Sequence, residues 1–144
     1  MGDPSGVGPE IIAKSLHELG RFGDIVIIGD AWVLGKYKVK NTNYNISFID
    51  LNNVAHKNFR FGQARAEYGR ASIEYVDAAL DLIRQGGIDC LVTCPISKEA
   101  VSDSGLSGFS GHTSYLARKA LAKKHVMMLL NRYMRFSLVT EHLP

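Results

Sequence analysis

Apolar residues in this chain fall into short unbroken runs, and between the runs they recur every three or four positions. The runs are Asp24 to Gly29 (DIVIIG), Ile46 to Ile49, Ile88 to Cys94 (IDCLVTC), Val126 to Leu130 (VMMLL) and Phe136 to Thr140 (FSLVT). None alternates as a half-exposed strand would, so they predict strands covered on both faces. The helical spacing predicts a helix from Pro9 to Leu19 with Ile11, Ile12, Leu16 and Leu19 on one face. It predicts a longer helix from Gln63 to Gln85, ended by Gly86-Gly87, and another from Thr113 to Lys124 with Leu116, Ala120 and Leu121 turned inward. A short helix over Ala31 to Lys38 completes the set. Strands alternating with helices imply an α/β fold with a largely parallel sheet. Asn41-Thr42-Asn43 reads as a turn, and Asn52 to Phe61 as a polar surface excursion.

The opening MGDPSGVGPEII raises a separate question. Pro9 and Glu10 suit the first turn of a helix, and the glycines before them suit a tight loop. Such a loop normally follows a strand, and here the chain begins on it.

Composition narrows the class. With 144 residues, 46% hydrophobic and 22% charged, the chain suits one domain with a real core, a single α/β segment over 1–144. No run approaches the ~20 apolar residues of a membrane span, and the first residues do not form a secretory signal, so a cytoplasmic setting is expected. A net charge of +3 favours an anionic small molecule. It is too small to indicate nucleic acid, and no aromatic and basic platform for single strands is evident. Cys90 and Cys94 would face the same side of one strand, too far apart to bond, and read as structural thiols.

Candidate chemistry lies in the loops that follow the strands, where α/β folds bind ligands. The first is GDPSGVG, either a phosphate-holding turn or a tight turn with Asp3 as a structural hydrogen-bonding residue. It matches neither GxGxxG nor GxxxxGKS. In TCPISKEAVSDSG, Pro95 breaks the ladder and Ser97 can cap a short helix whose third position is Ala100. Lys98 would then sit beside free N–H groups, either as an anion contact or as an ordinary solvated lysine. In GFSGHTSYLARKA, His112 and Thr113 fall where a helix begins and could meet an anion or an oxyanion. His142 follows the last strand in EHLP, at a place a metal ligand could occupy, but one histidine does not make a metal site. His17, His56 and His125 read as surface or packing residues. No catalytic nucleophile arrangement stands out.

Together and in this order, GDPSGVGPE, FGQARAEYGRASIEYVDAAL, TCPISKEAVSDSG, FSGHT, VMMLL and TEHLP resemble the PdxA family of 4-hydroxythreonine-4-phosphate dehydrogenases of vitamin B6 biosynthesis. The stretches run from Gly2 to Pro144. The GDPSGVGPE opening is also similar to that of isocitrate and isopropylmalate dehydrogenases. The resemblance implies a three-layer α/β/α sandwich with a largely parallel or mixed sheet. It implies NAD or NADP as cofactor, and a divalent metal (Zn, Mg or Co). The implied reaction oxidises the C3 hydroxyl of 4-phosphooxy-L-threonine to a ketone, and the β-keto acid then loses CO2. By the family motifs, His112 and Thr113 are substrate contacts and His142 is a metal ligand. Lys98 matches a characteristic position, and its anion role is a physical inference.

The resemblance further implies a homodimer whose active sites are shared across the interface. It places this chain as the N-terminal part of a longer two-domain enzyme, with Met1 the last residue of a first strand. Two further metal histidines, a substrate lysine and most cofactor contacts would lie beyond it, so the chain alone is expected to be inactive. Ser114 departs from the Glu that follows GHT in many members, which leaves open a paralogue acting on 4-phospho-threonate or 4-phospho-erythronate. A non-catalytic domain that binds a phosphorylated ligand is the rival of a different class.

Overall fold

The computed structural model of the protein describes residues 1–37 and 45–140. The expected turn at Asn41-Thr42-Asn43 lies outside the described residues, as does His142. The chain divides into two compact units, residues 1–108 and 109–144.

The first unit contains α1 (Gly8–Leu19), β1 (Ile25–Gly29), α2 (Ala31–Leu34), β2 (Ile46–Asp50), α3 (Ala66–Arg84) and α4 (Lys98–Asp103). β1 and β2 pair in parallel, from Ile25 opposite Ile46 to Gly29 opposite Asp50. Alternate β1 residues serve opposite faces, as the pleat requires. Ile28 joins Val54 and the α3 residues Tyr68, Ala71, Tyr75 and Ala79, while Ile27 joins Leu16 of α1 and Leu34 of α2. Covering both faces is why DIVIIG carries no polar alternation. Each large side chain fully buried this way contributes roughly 1.5–3 kcal/mol.

The helices close as their sequences dictate. α3 ends where Gly86, at φ 71°, turns left-handed and the Gly87 N–H reaches the Leu82 carbonyl at 2.8 Å. Gly69 sits where α3 meets α4. A Cβ there would lie 2.0 Å from the Ala100 carbonyl oxygen, so glycine is what lets the two helices pack. At the end of β1, Asp30 is fully buried. Its Oδ1 accepts from the Val54 N–H at 3.1 Å and the Trp32 indole N–H at 3.2 Å, and its Oδ2 accepts from the Tyr75 hydroxyl. Burial, and after it this hydrogen bond, push the Tyr75 phenol well above its usual range.

Ile88 to Cys94, expected as a strand, forms no ladder in the structure. Ile88 and Leu91 pack against the core, but Val92 is 87% exposed, and no strand among the described residues pairs with the run. Apolar content here measures core contact, which does not by itself make a sheet.

The second unit holds α5 (His112–Lys119) and the antiparallel pair β3 (Met128–Leu130) and β4 (Arg135–Ser137). α5 stops short of the expected Lys124. Leu121 takes φ 53°, and the Ala122 N–H bonds the Ala117 carbonyl at 2.9 Å while the Leu121 N–H bonds that of Arg118 at 3.1 Å. This closure usually carries glycine at the left-handed residue. With leucine there, the sequence shows no stop, and Leu121, expected inward, is 87% exposed. In the hairpin, Asn131 Oδ1 accepts from the Tyr133 and Met134 N–H groups. Both strands are exposed rather than covered. The described pairing is therefore one parallel and one antiparallel pair.

Two substitutions test this packing by chemical denaturation. Gly69→Ala is expected to lower stability by about 2–3 kcal/mol through overpacking against Ala100. Tyr75→Phe, which strips one donor from a buried carboxylate, is expected to cost about 2 kcal/mol.

Candidate functional site

The opening loop is held by its own residues. Asp3 is buried, and its Oδ1 accepts the Ser5 N–H at 2.8 Å. The Ser5 hydroxyl donates to the Gln63 carbonyl at 2.7 Å and accepts the Gln63 N–H at 3.1 Å. The Asp3 N–H reaches the Pro95 carbonyl at 2.9 Å, which ties the loop to TCP. Gly2, at φ 75°, is required there, because a Cβ would fall 2.5 Å from that same oxygen. Burial raises the Asp3 pKa, against the Ser5 and Gly6 N–H groups that lower it. This geometry matches the structural role for Asp3.

In the same unit, Ser97 is the N-cap of α4 and its hydroxyl accepts the Ala100 N–H at 3.2 Å, as the sequence spacing anticipates. Lys98 opens that helix, exposed and without an ion pair among the described residues.

In the second unit, Gly111 is the N-cap of α5 and offers no side chain to the first-turn N–H groups. The positive end of the helix is therefore available to an acceptor. His112 and Thr113 occupy its first two positions, both half-buried. His112 Nε2 is buried and without a hydrogen-bond partner. Burial lowers the His112 pKa from 6.5, favouring the neutral ring. A neutral imidazole beside a threonine hydroxyl at a helix N-terminus can donate to, or accept from, a polar ligand without adding charge. Across the start of the helix, the hydroxyls of Ser110, before the N-cap, and Ser114, in the first turn, are hydrogen-bonded at 2.6 Å, a pairing that sequence reading missed.

The structure thus puts His112 and Thr113 together, and Lys98 in the other unit. Among the described residues no three His, Cys, Asp or Glu side chains form a metal-binding group. The described donors therefore do not by themselves fit a divalent cation. Cys90 and Cys94 are free thiols. Two open grooves of the first unit are a volume of about 390 Å³ beside Glu10, Lys14 and Tyr37 and one of about 620 Å³ beside Asn53, Arg65 and Arg70. No helix of the described residues is long and apolar enough to cross a membrane.

Residues 21–144 match the family described as pyridoxal phosphate biosynthetic protein PdxA. The chain belongs to the PdxA family. It is 34% identical over 157 residues to a 4-hydroxythreonine-4-phosphate dehydrogenase of Sulfurihydrogenibium sp. (strain YO3AOP1), covering all of this chain and 48% of that protein. A Clostridium botulinum protein, provisionally named D-threonate 4-phosphate dehydrogenase, is 31% identical over 161 residues, covering 99% of this chain and 48% of its own. The crystal structure of a 4-hydroxythreonine-4-phosphate dehydrogenase from Burkholderia phymatum superposes with a TM-score of 0.85 at 30% identity, over all of this chain and 49% of that one. The α/β fold is therefore that of PdxA structures, and the family's named members are oxidoreductases. The chain spans about half the length of the curated relatives it matches.

The lowered His112 pKa has a signed consequence. Between the folded value and 6.5 the unfolded chain binds the extra proton, so the stability tied to neutral His112 is present above 6.5 and lost as pH falls below it. Denaturation at about pH 7.5 and about pH 5.5 should show a larger acid loss in the natural chain than in His112→Gln.

Proposed function

We propose that the protein serves the NAD(P)-dependent, divalent-metal-dependent oxidation, with decarboxylation, of a phosphorylated hydroxy acid. The names of its relatives support this substrate class, 4-phosphooxy-L-threonine on one side and the phospho-threonate paralogue on the other. The observation that carries the reading is the start of α5. There a neutral His112 with an unpartnered Nε2 stands beside Thr113 at an uncapped helix end, in a chain of this family. Thr113 would donate to or accept from a substrate oxygen, and His112 would fix a second polar atom. The first-turn N–H groups would face the anionic part.

Lys98 is a candidate anion contact in its own unit. His142 is proposed as one metal ligand, with the remaining donors supplied by the part of the relatives' length that this chain does not span. When bound, the metal and the nicotinamide would supply Lewis acidity and hydride acceptance. The three-layer sandwich similar to isocitrate dehydrogenase, the shared-site homodimer and the cytoplasmic setting belong to the same proposal. Helices packed on both faces of β1 support the layering.

Calorimetric titration with 4-phosphooxy-threonine and with 4-phospho-threonate tests the contact. Thr113→Val is expected to weaken binding about tenfold, the loss of one hydrogen bond to a charged ligand, while His17→Ala leaves it unchanged. Equal binding by Thr113→Val and the natural chain would remove Thr113 from the site.

A further inference from the structure

The stretch HKNFRF, His56 to Phe61, interleaves aromatic and cationic side chains, and the fold brings it against AWVLGKY, residues 31–37. The Trp32 ring stacks on His56, with centres 4.1 Å apart, and meets Phe59 edge-on. Phe61 carries the ring contacts on from Phe59 to Tyr37. Lys36 Nζ stands 5.3 Å from the centre of Trp32 and 5.9 Å from that of Phe59. His56, Lys36, Lys57 and Arg60 are exposed, and Phe61 is 44% exposed. The loop is tied down on both sides. The Asn58 carbonyl accepts from Arg65 at 3.2 Å, and the Gly62 N–H reaches the Ser5 carbonyl at 2.8 Å. Little ordering entropy is therefore lost when a ligand meets its rings.

Lys36, Lys57 and Arg60 have no ion pair among the described residues. Asp50, the one carboxylate in residues 31–64, is engaged by the Ala31 and Asn52 N–H groups, each at 3.1 Å. Asp30 is buried, and Glu10 and Glu67 are paired with Lys14 and Arg65. Cations beside exposed rings, with the neighbouring carboxylates engaged, suit a flat ring that carries an anion. We propose that the surface formed by residues 32–37 and 56–61 binds a free nucleotide. The base stacks on His56 and Phe61, and Lys36 and Arg60 contact the phosphate. A strand of nucleotides calls for a longer run of cations than a chain with a net charge of +3 presents. Neither His112 nor Thr113 takes part.

Trp32 is the only tryptophan of the chain, so tryptophan fluorescence reports this surface directly. Titrating the 144-residue chain with adenosine 5′-monophosphate is expected to quench it saturably. Inorganic phosphate and adenosine, each lacking half of the ligand, should bind about tenfold more weakly. Lys36→Gln and Phe61→Ala change exposed side chains and should leave the circular dichroism unaltered. Each should weaken the nucleotide about tenfold, the loss of one charge-assisted hydrogen bond or of one stacked ring. No saturable quenching, or quenching that either variant leaves intact, would overturn the proposal. Inorganic phosphate binding as tightly as the nucleotide would do the same, because the rings would then have no part. An oligoadenylate binding about a hundredfold tighter than the monophosphate would replace the free nucleotide with a single strand.

Discussion

The first unit depends on a carboxylate that water cannot reach. Asp30 ends β1 and takes hydrogen bonds from Trp32 next to it in α2, from the backbone at Val54, and from Tyr75 in the middle of α3. Left unpaired, a buried carboxylate would cost several kcal/mol, so each donor is held to its place. One side chain thereby fixes the end of the strand to the excursion that crosses it and to the helix that covers it. The polar excursion of residues 52–61 is thus not an idle surface loop. Val54 is buried, and the Phe59 ring packs edge-on against Trp32 and Tyr68.

That fixed strand end is where the opening loop arrives. The Met1 amino group donates to the Ile28 carbonyl at 2.8 Å, and two residues later the chain bonds Pro95. Gly2 and Gly29 leave no room for side chains at these crossings. The second unit is built differently. It has a short helix with an uncapped start and a hairpin with apolar residues facing outward, so its order rests on local hydrogen bonds more than on a core of its own.

How much of this could be read in the sequence varies with the physics. β1, β2, α1 and α3 were legible because their apolar pattern and their glycine or proline stops act locally. The Ser97 cap was legible for the same reason. Asp30 was not, because an aspartate after a strand looks like a polar loop residue until Trp32, Val54 and Tyr75 converge on it from positions 2, 24 and 45 residues away. Ile88 to Cys94 misled because a buried apolar run needs a neighbour before it becomes a strand. α5 ran long because leucine stands at a turn that glycine normally marks. At the start of α5 the family motif singles out His112 and Thr113 in the sequence, whereas the Ser110–Ser114 hydrogen bond depends on the turn that precedes the helix.

The proposed division of labour assigns substrate contacts to the start of α5 and most metal ligands elsewhere, in line with the absence of a metal-ligand set among the described residues. The most direct measurement is reduced nicotinamide formation by the purified 144-residue chain, given 4-phosphooxy-threonine or 4-phospho-threonate, NAD or NADP, and Zn2+, Mg2+ or Co2+. The account predicts ligand binding without turnover. Metal-dependent turnover that disappears in His142→Ala would contradict it, and would show that the chain assembles a whole catalytic site from its own residues.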